Sequence, residues 1–143
     1  MSTATTAHKK TLNRQKGDGG EKLAAKFLKR CGFTILHKNY ATPLGEVDII
    51  AHHVDIDKQG TLVFVEVKTR SSDELVASEG GEFGTPSEAV SHQKQQRITR
   101  AASQFLSKHQ IRGANVRFDI VEVYLPSKHI EHLVNAFESY LNY

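Results

Sequence analysis

Apolar and polar residues alternate along several short stretches of the chain, and this period of two predicts β-strands. Four stretches fit the pattern: Phe33 to Tyr40, Glu46 to His53, Thr61 to Arg70, and Asn115 to Leu125. The third stretch begins apolar on both of its faces, which is typical of a central strand that is covered on both sides. The tail from Ile130 to Leu141 fits either a short strand or a helix.

Two segments carry apolar residues at helical spacing instead. The first runs from Gly20 to Cys31, with Gly32 placed to end the helix. The second runs from Ser87 to about His109, and its inner stripe comprises Val90, Ile98, Ala101, Ala102, Phe105 and Leu106. Together with the strands, these helices predict an α/β fold in the order αβββαβ.

The remaining segments differ in charge. Residues 1–18 include a basic run and are expected to form a flexible N-terminal arm, for which a solvated terminus is a more ordinary role than DNA binding. Residues 71–86 are rich in glycine and acidic residues and are expected to form a flexible loop, either a functional lid or a disordered segment. Residues 19–143 would then form one domain, a size that can bury a core without disulfides.

Composition narrows the functional classes. The single cysteine, Cys31, excludes an intramolecular disulfide and a cysteine zinc cluster, and it suits a reducing cytosol. No apolar run approaches the roughly 20 residues that a membrane-spanning helix needs, so we expect a cytoplasmic protein. A net charge of +3 and a pI near 9.0 permit an anionic partner.

Two of the predicted strands contain charged residues among apolar ones. In the second strand, alternation predicts that Glu46 and Asp48 lie on one face, opposite Val47, Ile49 and Ala51. In the third strand, Glu66 and Lys68 share a face with Leu62 and Phe64. Burying ionised groups is costly unless partners or a metal ion compensate for them, so these residues indicate a site.

A divalent cation would explain the acids. If the second and third strands pair as a hairpin, Asp48 lies beside Glu66, and the main-chain carbonyl of Val67 is a third oxygen ligand. Mg²⁺ usually binds one or two carboxylates together with waters and substrate phosphate, so this set suits Mg²⁺ or Mn²⁺. Lys68 would then stand next to the bound ion and its water.

Other charged residues have two interpretations each. Glu21 lies at the margin of the first helix's apolar stripe, where it either stabilises the helix dipole or faces the sheet. Lys94 lies one turn from Val90 and Ile98, so it is either a snorkelling surface lysine or an inward cation beside the acids. Three arginines are candidates for nucleic-acid contact, although solvated surface charge explains each of them singly: Arg70, Arg97 and Arg100.

The histidines and Asp119 are interpreted as structural residues and not as parts of a functional site. The eight histidines lack a short ligand spacing, so a zinc site is not predicted. Asp119 is expected to be buried and to form a salt bridge with Arg117 or with a neighbouring strand, and it is left outside the site.

The combined pattern resembles the restriction-endonuclease-like nuclease superfamily, whose signature is Asp…Glu-x-Lys. The residues that carry the resemblance are Gly20-Glu21, then Gly45-Glu46-Val47-Asp48-Ile49-Ile50-Ala51, then Val65-Glu66-Val67-Lys68, followed by a helix. More narrowly, roughly residues 17 to 138 resemble the bacterial YraN-like family, itself similar to archaeal Holliday-junction resolvases.

This resemblance implies a restriction-endonuclease-like mixed β-sheet flanked by helices. It also implies that Asp48 and Glu66 bind the metal, that Lys68 orients or activates water, and that Glu21 contributes from the helix. Glu46 and Lys94 match family positions that have no assigned role.

The expected function is metal-dependent hydrolysis of phosphodiester bonds in DNA, including branched or junction DNA, in repair or recombination. One alternative is a nucleic-acid-binding module of the same fold without cleavage activity. Another is a structural or protein-binding role, in which the charges form an internal ion network. A homodimer would suit a two-fold symmetric DNA substrate.

Overall fold

A five-stranded mixed sheet with helices on both faces forms the protein, for which a computed structural model describes residues 19–74 and 90–138. The strands are β1 (Thr34–Thr42), β2 (Gly45–Val54), β3 (Gly60–Ser71), β4 (Asn115–Leu125) and β5 (His129–Leu133). Helix α1 covers residues 19–30 and α2 covers His92–Lys108. The spatial order is β1-β2-β3-β4-β5, and only the β3–β4 pair is parallel. The predicted α/β class and the αβββαβ order are confirmed, with β5 added at one edge.

Helix α1 ends where the sequence predicts, at Gly32. The backbone of Gly32 has a φ of 89°, a left-handed conformation that glycine adopts without steric cost. The amide of Gly32 donates to the carbonyl of Lys29 at 3.1 Å, and the amide of Phe33 donates to that of Leu28 at 3.0 Å. This Schellman motif turns the chain directly into β1.

Helix α2 begins later than predicted. Ser91 is its N-cap, with extended backbone, and its side chain accepts a hydrogen bond from the amide of Lys94 at 3.2 Å. An N-cap residue has non-helical dihedral angles, so Val90 and Ser91 lie before the helix and the predicted start at Ser87 is wrong there. Residues 87–89 lie outside the described residues. The predicted inner stripe is buried as expected.

The core has one apolar cluster on each face of the sheet. Along β3, Leu62 and Phe64 pack on the α2 side, whereas Val63 and Val65 pack on the α1 side, as the alternation predicts. In β2 the predicted alternation is wrong at one point, because Val47 packs on the α2 side whereas Ile49 and Ala51 pack on the α1 side. The irregularity falls at Asp48, where β2 stops pairing with β3.

Several predicted segments lie wholly or partly outside the described residues. The N-terminal arm, residues 1–18, is one of them, and so is most of the predicted loop 71–86. Of that loop, Ser71 is the last residue of β3 and residues 72–74 are helical. The tail, for which the sequence allowed either a strand or a helix, contains most of strand β5. Among the described residues, no helix is long and apolar enough to cross a membrane.

Candidate functional site

The site begins at a fork between β2 and β3. Their antiparallel ladder ends at the pair Ile49 and Val65, so Asp48 and Glu66 are the first residues beyond the last pair. Instead of continuing the ladder, the Asp48 carboxylate accepts a hydrogen bond from the Val67 amide at 2.8 Å. The side chain of Asp48 therefore replaces the backbone of β2 as the partner of Val67. This hydrogen bond fixes the Asp48 carboxylate at the point where β2 and β3 separate.

The start of β2 is held by α2 instead of β3. Gly45 is buried, and a Cβ atom at this position would lie 2.0 Å from the main-chain carbonyl oxygen of Arg97. The preceding turn is tied by Thr42, whose hydroxyl accepts hydrogen bonds from the amides of Leu44 and Gly45 at 3.2 and 3.1 Å. Only glycine allows this close backbone approach, which positions α2 over the fork.

Glu66 is a buried carboxylate between the sheet and α2. It is 3% exposed, and its side chain lies close enough to that of Asp48 for the two charges to interact. Burial, and then the charge of Asp48, raise the pKa of Glu66 to about 7, although Lys94 acts in the opposite direction. The two carboxylates therefore repel each other when both are ionised, and a cation between them would relieve the repulsion.

Lys94 supplies a cation from the protein itself. Its amine lies 2.9 Å from Oε1 of Glu66. Burial alone would lower the pKa of Lys94, but the hydrogen bond and charge of Glu66, followed by the charges of Asp48 and Glu46, raise it. Of the two interpretations of Lys94, the structure shows the inward one. Glu46 itself is exposed.

Lys68, the lysine of the Glu-x-Lys motif, has a different environment. It is half-buried, and it lies about 7 Å along β3 from Glu66, two residues further on the same face. Within the part of the chain that the structure describes, its amine makes no hydrogen bond or ion pair. The structure therefore brings Lys94, and not Lys68, into contact with the acids.

Glu21 lies in the first turn of α1, on the other side of the sheet. A Cβ atom at Gly20 would lie 2.1 Å from Oγ1 of Thr69, so the first turn of α1 packs directly on the end of β3. The next residue, Glu21, is half-buried. Because α1 covers the face opposite to that of Glu66, Glu21 and Glu66 lie on opposite sides of the sheet.

The oxygen donors at the fork fit a hard cation. In an extended strand the N–H and C=O groups of one residue point to the same edge, so the Val67 carbonyl faces the edge where its amide meets Asp48. The donor set is then two carboxylates and one carbonyl, which suits Mg²⁺ or Mn²⁺ completed by water and phosphate. Across residues 19–74 and 90–138, no three side chains of the His, Cys, Asp or Glu type form a metal cluster.

Two buried residues next to the site were missed from the sequence. Glu122 is 7% exposed and stands beside Lys68 in the parallel register of β3 and β4. The hydroxyl of Tyr124 donates to Oε2 of Glu122 at 3.1 Å, and burial, then the charge of Glu122, raise the pKa of Tyr124 to about 12. The sequence does contain a signal for Glu122. It follows two apolar residues, Phe118 and Ile120, at the period of two, as Glu66 follows Leu62 and Phe64.

The three predicted DNA-contacting arginines have different surroundings. Arg70 is paired, with Nε 2.5 Å from Oε2 of Glu122 and Nη1 3.4 Å from Oε2 of Glu74. Arg97 is exposed one turn after Lys94, and Arg100 is exposed on the outer side of α2. Two of the three are thus open to an anionic partner, while the third is held by carboxylates.

Asp119 lies outside the site, as expected. It is fully buried and accepts two hydrogen bonds from Arg117, at 2.8 and 3.0 Å, which confirms the predicted salt bridge. His132 and the amide of Asn135 also contact it, at 2.7 and 2.9 Å. Burial acts to raise the pKa of Asp119, but these hydrogen bonds outweigh it and the pKa is lowered. The network ties β5 and the following turn to β4.

Comparison with known proteins places the chain in a family. The profile described as "Uncharacterised protein family UPF0102" matches residues 20–123, a segment that contains all the candidate site residues above. The chain belongs to the UPF0102 family. This is the YraN-like family that the sequence motifs indicated.

Full-length relatives in several bacteria support the assignment. A UPF0102 protein of Alkaliphilus oremlandii is 48% identical over 130 residues, covering 88% of this chain and 100% of the relative. A UPF0102 protein of Clostridioides difficile is 42% identical over 125 residues, covering 87% of this chain and 98% of the relative. One from Caldicellulosiruptor saccharolyticus is 43% identical over 129 residues, covering 87% and 98%. The names of these relatives state a family and no activity.

Proposed function

We propose that this UPF0102 protein is a Mg²⁺- or Mn²⁺-dependent endonuclease of the restriction-endonuclease-like superfamily. Its substrate is DNA, including the branched DNA of repair or recombination, and it acts in the cytoplasm. The observation that carries the proposal is the neighbouring pair of acids Asp48 and Glu66, largely withdrawn from solvent, beside the Val67 backbone that holds Asp48. Two adjacent acids in such a place are unfavourable without a cation, and their oxygen donors suit Mg²⁺.

Asp48, Glu66 and the Val67 carbonyl would hold the cation. When bound, a divalent cation neutralises charge on the scissile phosphate and lowers the pKa of a bound water. The chain's own contribution is orientation. The amide of Val67 fixes the Asp48 carboxylate, and packing between β3 and α2 fixes Glu66.

Lys68 has the role of a donor to the reacting groups. Its side chain lies on the same face as Glu66 and has no partner among the described residues, so its amine is available to a water or a phosphate oxygen. A preorganised donor of this kind stabilises the charge that develops in the transition state. The exposed Arg97 and Arg100 would contact the DNA backbone, which positions a duplex without selecting its sequence.

One observation favours a second candidate function. Because Lys94 already neutralises Glu66, the same side chains could form a purely structural ion network that fastens α2 to the sheet. In that case the acids need no metal, and the protein acts by binding a partner. A module that binds DNA without cutting it is the intermediate case.

The test is cleavage of labelled four-way junction, flap and duplex DNA by highly purified protein in Mg²⁺ and in Mn²⁺. The variants are Asp48→Asn and Lys68→Ala, with Lys29→Gln as a control, since Lys29 is an exposed lysine at the far end of α1. We expect the first two to lower the cleavage rate by a factor of about 100 or more and the control to leave it unchanged.

Equal cleavage by all four proteins would indicate a contaminating nuclease and overturn the proposal. Binding of junction DNA by the wild type and by Asp48→Asn, with no product from either, would support the binding module. A large loss of folding stability in Asp48→Asn, with no effect of metal on either protein, would support the structural network.

A further inference from the structure

The amine of Lys94 contacts one of the two carboxylates that are proposed to bind the metal ion. It lies 2.9 Å from Oε1 of Glu66, and the charges of Asp48 and Glu46 also act on it. An oxygen that holds an ammonium group at hydrogen-bond distance is not free for a metal ion at about 2.1 Å. In the metal-free protein, the Lys94 amine is therefore the counter-ion of Glu66.

The position of Lys94 is built into the fold. Val90, just before the N-cap, and Ile98, one turn after Lys94, are both buried in the core cluster under α2. The Ser91 cap fixes the start of α2, and the contact of Gly45 with Arg97 fixes the distance between α2 and β2. Lys94 is therefore directed at the acids by the helix that carries it.

The helix position of this lysine is unfavourable in itself. Lys94 lies in the first turn of α2, where the partial positive charge of the helix end disfavours a cation, and this turn contains no acidic residue. Its pairing with Glu66 offsets that cost. At the same time the side chain is 41% exposed, so the amine can leave the acids without unfolding the helix.

We propose that Lys94 is a resident counter-ion that a divalent cation displaces, so that α2 sets the metal affinity of the site. This inference rests on the proposed function, because it uses the same acids as metal ligands. In the metal-free protein the lysine keeps the carboxylates neutralised. When the metal binds, the amine moves to the solvent side, from which an anionic phosphate would approach.

Removing the amine of Lys94 from the site should tighten metal binding. Lys94→Gln removes the competitor and one positive charge. It should lower the Kd for Mn²⁺ by about tenfold, the low end of the range for a charged hydrogen bond because the amine is partly exposed. Lys94→Arg keeps the cation and should bind Mn²⁺ no more tightly than the wild type.

The measurement is calorimetric titration of Mn²⁺ into the full chain without DNA at several pH values. The Kd values are compared at the highest pH, because removing Lys94 raises the pKa of Glu66 and a proton then competes with Mn²⁺ at lower pH. Lys29→Gln is the matched control, because it changes the net charge equally at an exposed site away from the fork. A Kd for Lys94→Gln equal to or weaker than that of the wild type would overturn the inference, and so would equal tightening by Lys29→Gln.

The outcomes separate this inference from the proposed function. If Mn²⁺ binds and Lys94→Gln tightens it, the counter-ion role stands even when no DNA is cut. If DNA is cut but the variant binds Mn²⁺ like the wild type, only the counter-ion role fails. If Mn²⁺ binds to no form of the protein, both fail.

A second measurement needs no substitution in the tested protein. Wild-type protein labelled with ¹³C at the lysine ε-carbons is titrated with Mg²⁺ and followed by NMR, with the Lys94 signal assigned by its absence in Lys94→Arg. We expect the Lys94 signal to shift as the amine leaves Glu66, whereas the Lys29 signal stays in place. A Lys94 signal that does not move at saturating Mg²⁺ would refute the displacement.

Discussion

The stability of the metal-free protein should depend on pH through Glu66. Its pKa is raised from 4.5 to about 7 in the folded state, so folding favours the protonated form. A raised pKa contributes stability that is fully present below the unfolded value of 4.5 and is lost as the pH rises through about 7. The contribution of Glu66 to the free energy of unfolding of the wild type should therefore fall as the pH is raised from acidic to mildly alkaline values.

The magnitude follows from the size of the shift. A pKa change from 4.5 to about 7 corresponds to about 3 kcal/mol in total, at 1.36 kcal/mol for each pKa unit. Between about pH 5.5 and about pH 8.5, roughly 2 kcal/mol of this is expressed, because part of the change occurs at lower pH. Glu66→Gln cannot ionise, so this part of the pH dependence should disappear in the variant.

Urea unfolding of both proteins at several pH values measures the effect. The free energy of unfolding of Glu66→Gln relative to the wild type should increase by about 2 kcal/mol between about pH 5.5 and about pH 8.5. Glu138→Gln, at an exposed acid, is the control and should stay parallel to the wild type. A difference between Glu66→Gln and the wild type that is the same at both pH values would show that folding does not raise the pKa of Glu66.

Three further predictions concern the stability of the fold and the arginines proposed to contact DNA. Gly45→Ala should lower the free energy of unfolding by about 1–3 kcal/mol in urea unfolding, because its Cβ atom meets the Arg97 carbonyl at 2.0 Å. Gly19→Ala, where a Cβ atom meets nothing within 4 Å, should not lower it, and equal losses would contradict the packing. Asp119→Asn should cost about 3–5 kcal/mol by thermal unfolding, because it removes the charge at the centre of a buried network, while the Mn²⁺ affinity stays unchanged. Arg97→Ala should weaken binding to all DNA sequences equally and reduce the salt dependence of binding by about one ion, whereas a sequence-dependent loss would indicate base contacts.

Local alternation was enough to predict the environment of Glu66. Leu62 and Phe64 pack under α2. Glu66, four residues after Leu62 and two after Phe64 on the same face, is covered by the same helix. The end of α1 at Gly32 was equally predictable, because the left-handed conformation of a helix terminus favours glycine. Both features depend on residues that are neighbours in sequence.

Features that depend on distant contacts were not predictable in the same way. Strand β2 stops pairing with β3 at Asp48, and at its start Gly45 packs on the backbone of α2, a contact that no pattern within β2 indicates. Whether Lys94 points inward depends on the rotation of α2 over the sheet. Glu122 becomes part of the site's surroundings only through the register of β4 against β3, a pairing between segments more than 50 residues apart.

Whether the acids at the fork form a cation site can be seen in a crystal structure of the protein soaked in Mn²⁺, with anomalous diffraction recorded. We expect an anomalous peak bounded by the carboxylates of Asp48 and Glu66 and the carbonyl of Val67, with the Lys94 amine displaced from Glu66. A saturating soak that gives no peak between the two carboxylates and leaves the Lys94 amine on Glu66 would show that these acids do not form a metal site.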